Sequence, residues 1–299
     1  MKKKKNTSLK VETYKVPTLN SKTRLQDLAA GMFERTPTKS GLKKAIKNNL
    51  VRINDRVATS GSYLLGGETI DLYQNQEINI KPSIDIQLDI IYEDEYLSLV
   101  NKPAGITVSG NKKWTLENAL SSNLKKSSET DALSQPQPIH RLDHPTSGII
   151  LIGKTSNSVI ALNQLFRDRN IDKTYYAVSI NKMESQGNIT SQIDNKTSST
   201  NFIVEQCLES ERFKFLNLVH VFPHTGRKHQ IRKHLSELGN PILGDQIYCS
   251  NENILKGNGL YLHAFSLNFT HPFTKEKMYH SAPLPKKFTR LFPSLKNNQ

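Results

Sequence analysis

The sequence predicts an α+β fold: a mixed, largely antiparallel central sheet with flanking helices, preceded by a small N-terminal α/β module. Three observations predict it. Strand-like runs recur through the C-terminal part without the regular strand–helix–strand spacing of a parallel sheet. Residues 22–73 instead set two helical patterns and a hairpin in a short, strongly basic stretch. The polar segment 74–83, QNQEINIKPS, separates the two parts. A chain of 299 residues accommodates about two domains. The expected division is a disordered basic arm over residues 1–21, a module over 22–73 and a main domain over 84–292.

Each element has its own warrant. In the arm, Lys2 to Lys5 lead into Asn6, Thr7 and Ser8, without the apolar run of a secretory signal. Ser21 or Thr23 can cap a first helix carrying Leu25, Leu28, Ala29, Met32 and Phe33. Ser40 precedes a second helix, Gly41 to Asn49, with Leu42, Ala45 and Ile46 on one face. Val51 to Val57 reads as a strand, an Asn-Asp turn and a second strand, and Gly66-Gly67 turns the chain into Thr69-Ile70-Asp71-Leu72. In the main domain, residues 84–88, 90–94 and 97–100 read as strands, the last ending at the corner Asn101-Lys102-Pro103-Ala104-Gly105. Ile149 to Ile152 is a buried strand. Ser156 to Asp168 is a helix with Val159, Leu162 and Phe166 on its core side, and residues 173–178 and 213–222 are further strands. Residues 121–138, 181–201 and 250–258 read as long polar insertions.

Composition narrows the function. A net charge of +14 and a pI near 9.6 favour polyanionic partners, nucleic acid first. From Lys22 to Val57, nine Lys/Arg face three Asp/Glu, a net of +6 suited to tracking phosphates. The two cysteines, Cys207 and Cys249, form no CxxC pair, which argues against a thiolate zinc site or a disulfide framework and fits a reducing cytoplasm. No apolar run reaches bilayer length, so no membrane partner is expected. There is no P-loop, dinucleotide fingerprint, GxSxG elbow or paired-carboxylate pattern, so no cofactor is expected and hydrolytic chemistry is disfavoured.

Three constellations carry chemistry. His140-Arg141-Leu142-Asp143 runs into a Pro/Gly turn and then the strand Ile149-Ile150-Leu151-Ile152, which holds a carboxylate at the rim of a sheet. Thr146, Ser147 and Gly148 can brace the turn by local hydrogen bonds. Thr225 to His234 ends a strand and opens a helix whose apolar residues are Ile231, Leu235 and Leu238, with Gly239 as terminator. Arg227, Lys228, His229 and Arg232 crowd that helix start, where anions are already favoured. A metal at His220, His224, His229 and His234 is disfavoured, since the last two lack the i, i+4 spacing of a helical zinc pair. Finally, Tyr175 and Tyr176 face opposite sides of a strand, so one is available to a cleft and the other to a core.

The stretch HRLDHPTSGIILIGK closely resembles the signature of the RluA-type (large-subunit rRNA) pseudouridine synthases. Thr225 to His234 resembles that family's GRxHQIRxH motif, Lys173-Thr174-Tyr175 its KxY motif, and Asn101 to Gly105 and Leu262-His263-Ala264 two further blocks. Residues 22–73 resemble the S4 RNA-binding domain, departing from it at Gly41 and Asn49. The resemblance implies the pseudouridine synthase fold and cofactor-independent conversion of uridine to pseudouridine in RNA. Asp143 is then the nucleophile, Arg232 its partner, and Tyr175 the residue that stacks on the target base, leaving Tyr176 structural. Arg141 would fill the space left by a flipped nucleotide. Arg227, Lys228, Lys43, Lys44, Lys47 and Arg52 are the further RNA-binding candidates. The substrate implied is 23S rRNA, with tRNA as the alternative. A non-catalytic RNA-binding or ribosome-assembly factor is the rival class.

Overall fold

The computed structural model describes residues 8–29, 31–36, 38–75, 84–249, 257 and 259–298. The chain divides into two compact units, Met1–Ile80 and Lys81–Gln299.

The smaller unit begins earlier than the arm expected over residues 1–21. Strand β1 (Ser8–Lys15) pairs antiparallel with β6 (Thr69–Asn75), and Val16 is buried. Val11 and Tyr14 pack on the local core, so this stretch has apolar surface to bury as well as charge. The lysine run Lys2–Lys5 lies outside the described residues. The first helix is shorter than expected: β2 (Thr23–Arg24) leads directly into α1 (Leu25–Leu28), whose N-cap residue is Arg24. Helix α2 (Lys39–Lys47) starts before Gly41 because Thr38 is the cap, its Oγ1 accepting the Gly41 N–H at 3.0 Å. Leu42, Ala45 and Ile46 form its buried face. Asn49 adopts φ 59°, a left-handed position that asparagine tolerates in place of glycine. β3 (Val51–Ile53), the left-handed pair Asn54 and Asp55, and β4 (Arg56–Val57) form the expected hairpin. β5 (Tyr63–Leu64) pairs β2, and the larger sheet runs β1-β6-β3-β4.

The larger unit is a ten-stranded sheet with helices against it, mixed and largely antiparallel as expected. Its elements are β7 (Asp89–Glu93), β8 (Leu97–Lys102), α3 (Leu116–Asn123), β9 (Ala132–Pro138), β10 (Ser147–Thr155), α4 (Ser156–Arg167), β11 (Ile171–Ile180), β12 (Gln186–Ile193), β13 (Lys196–Ser210), β14 (Lys214–Pro223), α5 (Gln230–Glu237), β15 (Leu262–Thr270), β16 (Lys277–Ser281) and α6 (Lys286–Leu291). The strand order is β12-β13-β14-β11-β15-β10-β8-β7, with β16 on β15 and β9 on β10. Three stretches differ from the sequence reading, and the insertion expected over 250–258 lies, apart from 257, outside the described residues. Within the insertion expected over 121–138, residues 132–138 form β9, paired with β10. Residues 84–88 are not a strand: Asn123 of α3 accepts the Leu88 N–H and donates to Ile86 O, both at 2.8 Å, so a side chain satisfies backbone groups that a ladder would otherwise pair. Residues 181–201 are largely the hairpin β12–β13, turned by the left-handed pair Asp194 and Asn195.

β10 is buried along its whole length, flanked by β8 on one side and by β15 and then β9 on the other. Gly148 makes this possible. It sits at φ 119°, and a Cβ there would lie 2.1 Å from Ala264 O, so only glycine lets the parallel pairing of β10 and β15 form. Two apolar cores result, one around β8, β10, α3 and α4, the other around β11, β14, α5 and α6. Tyr175 packs against both. The loops that carry the candidate residues meet at this seam.

Candidate active site

A cavity of about 400 Å³ opens at the seam, and its lining includes Arg141, Asp143, Lys173, Tyr175, His229 and Arg232. Three sequence-distant motifs therefore share one space. Asp143 precedes β10, in a turn closed by the Thr146 N–H donating to Asp143 O at 3.0 Å. The loop is pinned from outside as well, since Gly105 N–H donates to His144 O at 2.8 Å. The expected bracing by Thr146 and Ser147 side chains is not local. Thr146 Oγ1 is buried without a partner, and Ser147 Oγ instead shares a 2.9 Å hydrogen bond with His263 Nδ1 of β15.

Arg232 donates from NH1 to Asp143 Oδ2 at 3.4 Å. Its tighter partner is a residue the sequence reading did not select. Nε and NH2 donate to the two oxygens of Asp245 at 2.7 and 2.8 Å, a two-pronged buried pair. Asp245 Oδ1 also accepts the N–H groups of Ile247 and Tyr248 at 2.9 and 3.1 Å. Burial alone would lower the Arg232 pKa, but Asp245, and to a lesser extent Asp143, raise it above the ordinary value. Burial likewise opposes ionisation of Asp245, and the Arg232 and backbone hydrogen bonds outweigh it, holding that carboxyl below its ordinary pKa. Gly244 sets the turn: at φ 80°, a Cβ there would stand 2.0 Å from Gly259 O. The guanidinium is thus fixed before any ligand arrives, with one arm aimed at Asp143.

His229, read from the sequence as one of the groups crowding the start of α5, is the second. It caps α5 in the left-handed region at φ 56°, which brings Nε2 to 3.7 Å from Asp143 Oδ1 while Nδ1 shares a 2.9 Å hydrogen bond with the Tyr248 hydroxyl. Its pKa is lowered, by burial first, with Arg232 and Lys228 acting in the same direction against Asp143. Lys102, the third, is fully buried and donates to Pro103 O and Ile106 O, each at 2.9 Å. Burial pushes it down to about 8, against the pull of Asp143. His140 forms part of the wall: Nε2 accepts the Leu151 N–H at 3.0 Å, which requires the neutral ring, and burial pushes its pKa down to about 3.

Tyr175 lines the cavity, half-buried, and burial followed by the neighbouring Asp143 pushes its phenol well up, so it is neutral. Tyr176 faces the other side, donating to both oxygens of Glu205 at 2.9 and 3.1 Å and stacking on His220 at 4.6 Å. Of the four histidines weighed for metal, His234 is buried between Ser198 and Thr200, at 2.9 and 2.8 Å, and lies outside the cavity lining. In α5, Ile231 and Leu235 are buried as expected, but Leu238 is exposed, because the chain leaves the helix there for the left-handed Gly239.

The other candidate binding residues sit in three settings. Arg141 and Lys228 are exposed on the cavity rim, and Arg227 is half-buried with its Nε unpartnered. In the smaller unit, Lys43, Lys44 and Lys47 are exposed along α2. Arg52 departs from the expected open phosphate contact. It is half-buried with its guanidinium 4.3 Å above the Tyr73 ring, a cation–π contact that ties it to its own sheet.

Residues 96–237 match the family profile described as RNA pseudouridylate synthase. The chain is 34% identical over 294 residues to the ribosomal large subunit pseudouridine synthase D of Buchnera aphidicola subsp. Schizaphis graminum, covering 88% of this chain and 90% of that one. It is 31% identical to an uncharacterized RNA pseudouridine synthase of Bacillus subtilis, over 81% of this chain and 80% of that one. Among solved structures, human RNA pseudouridylate synthase domain containing 4 shares the fold, with a TM-score of 0.54 and 24% identity over 69% of this chain and 92% of that one.

Proposed function

We infer from its membership of the RluA-type RNA pseudouridine synthase family that this chain isomerises uridines in ribosomal RNA of the large subunit. The observation that carries the site assignment is the Asp143 carboxylate, held in a cavity between the arm of a locked guanidinium and a neutral tyrosine ring. Asp143 acts on the ribose of a uridine drawn out of its stack. The N1–C1′ bond breaks, either by attack at C1′ or by elimination to a glycal. The freed uracil turns against the Tyr175 ring, held by stacking worth about 1–3 kcal/mol. C5 then bonds to C1′, the C5 proton leaves and N1 gains one, so atoms and charge balance without a cofactor. The raised Tyr175 pKa favours the Asp143 carboxylate, once released, as the acceptor of the C5 proton. Arg141, exposed at the rim, takes the space the nucleotide vacates, and Arg227 and Lys228 receive flanking phosphates.

Residues 22–73, together with β1, serve as an S4-like RNA-binding module through Lys43, Lys44 and Lys47. A reducing cytoplasm suits the two cysteines, both free thiols. Among the described residues no helix is long and apolar enough to cross a membrane.

The test is Asp143→Asn on in vitro transcribed ribosomal RNA, with products resolved by nucleoside chromatography. Pseudouridine formation should fall by more than about 10³-fold, about 4 kcal/mol of transition-state stabilisation, while RNA binding persists. Near-normal turnover would remove Asp143 from the chemistry. Wild-type protein that binds RNA without turnover would leave a binding or assembly factor instead.

A further inference from the structure

Beside the Asp143 cavity lies a second groove of about 790 Å³, walled by the end of α4, the start of β11, the end of β14, and β15 and β16. The two share Phe166, Lys173, Pro223 and residues 225–227. Lys173 stands at the junction. It lies two residues before Tyr175 on β11, hence on the same face of the strand. Its side chain is half-buried and its ammonium has no hydrogen-bond or ion-pair partner among the described residues. It lies 5.9 Å from the centroid of the Phe166 ring. Burial lowers its pKa, and Arg169 adds to that against Asp172. Across the junction the Nε of Arg227 is buried and also unpartnered. A half-buried ammonium whose charge only Asp172 favours, and a guanidinium with one buried, unpartnered N–H, are both better satisfied when a ligand supplies an anion.

The groove beyond continues the pattern. Arg169 occupies the left-handed position after α4 at φ 61°, where glycine is usual, and lines the groove exposed. Tyr279 on β16 is 65% exposed at the same groove. One carboxylate, Asp172, lines it too, and accepts from Asn268 at 3.4 Å.

We propose that Lys173 and Arg227 clamp the phosphodiester next to the target uridine, and that the groove beyond carries the adjoining single-stranded RNA past Arg169 and Tyr279. This rests on the isomerase reading above. Lys173 and Arg227 line both cavities, so a base can enter the Asp143 cavity while its own backbone stays at the junction. Tyr279 offers a bare ring on which a neighbouring base can stack.

The test is single-turnover kinetics of the full chain on in vitro transcribed ribosomal RNA at 50–200 mM KCl, comparing wild type, Lys173→Met, Lys173→Arg and Arg169→Ala. Lys173→Met should raise the half-saturating protein concentration about tenfold. Its salt slope should fall by about 0.7, the loss of one single-strand phosphate contact. Lys173→Arg should restore the slope. Arg169→Ala, at an exposed position, should lower the slope in the same direction with a smaller loss of affinity. A slope unchanged in both Lys173→Met and Arg169→Ala overturns the clamp, as does a Lys173→Met variant whose saturated rate collapses at unchanged half-saturation. Wild-type protein without turnover would instead defeat the isomerase reading. The clamp then stands or falls on the same slopes measured by RNA binding.

Discussion

Arg232 and Arg141 line one cavity in opposite physical states. Arg232 is 3% exposed and gripped by the two oxygens of Asp245, with its remaining arm on Asp143. Arg141 is exposed and makes no hydrogen bond or ion pair among the described residues. The cavity floor is assembled during folding, so on the proposed function its field would act on a transition state without reorganisation at the moment of reaction. The rim is hydrated, and on the same reading its charges would contribute as RNA sheds counterions. Floor residues should therefore govern rate at saturation, and rim residues affinity and its salt dependence.

The sharpest way to break this contrast is Arg232→Met. Activity should fall by more than about 10³-fold, equivalent to about 4 kcal/mol. Stability should drop by about 3–5 kcal/mol because Asp245 is left buried without its counter-charge. The double variant Arg232→Met/Asp245→Asn, whose side-chain oxygen can still accept the Ile247 and Tyr248 N–H groups, should recover most of the melting temperature and none of the activity. Recovery of both would deny the guanidinium any role beyond folding.

Asp245→Asn separates position from presence. The guanidinium stays but loses its charged anchor, so the saturated rate should fall by about tenfold or more, about 1.4 kcal/mol, at unchanged half-saturation. A change confined to half-saturation would move Asp245 to the binding side of the comparison.

Charge removal at the rim should read out differently. Arg141→Ala, or Gln at Lys43, Lys44 and Lys47, should leave the saturated rate within a few-fold. Each should flatten the dependence of log affinity on log salt by about 0.7–0.9 per lost phosphate contact. Unaltered slopes would remove these residues from the RNA footprint.

The last effect concerns pH and bears on folding rather than on turnover. His140 and His263 are held neutral, with pKa values pushed by burial down to about 3 and about 4. Below about 6.5 the unfolded chain takes up protons that the native state refuses, so stability rises with pH in this window. The contribution is complete above about 6.5 and is lost as acid approaches the native values. Melting temperature should decline from pH 6.5 to 4, and His140→Gln, whose Oε1 can accept the Leu151 N–H, should soften the decline. A flat wild-type profile would contradict it.

Much of this was legible before the structure. A carboxylate on a Pro/Gly turn feeding an apolar strand, cations at a helix start, and adjacent tyrosines on a strand are local patterns, each readable within about ten residues. The strand Ser8–Lys15 was hidden beneath its charge. The hairpin β12–β13 looked like an insertion because polar residues occupy buried positions as well as exposed ones, Ser198 and Thr200 being buried against His234. Residues 84–88 alternate like a strand, yet a side chain from α3 takes their hydrogen bonds.

By itself, the sequence determined the architecture class and the basic character, since periodicity, turn chemistry and net charge are local or additive, and its family resemblance singled out the motifs proposed to react. Only the tertiary structure decided that Asp245 anchors Arg232, that His229 turns toward Asp143 and that Lys173 stands unpartnered between two cavities. Those relations depend on distances across the seam between two cores. No local pattern encodes them, because a buried charge is defined by what surrounds it.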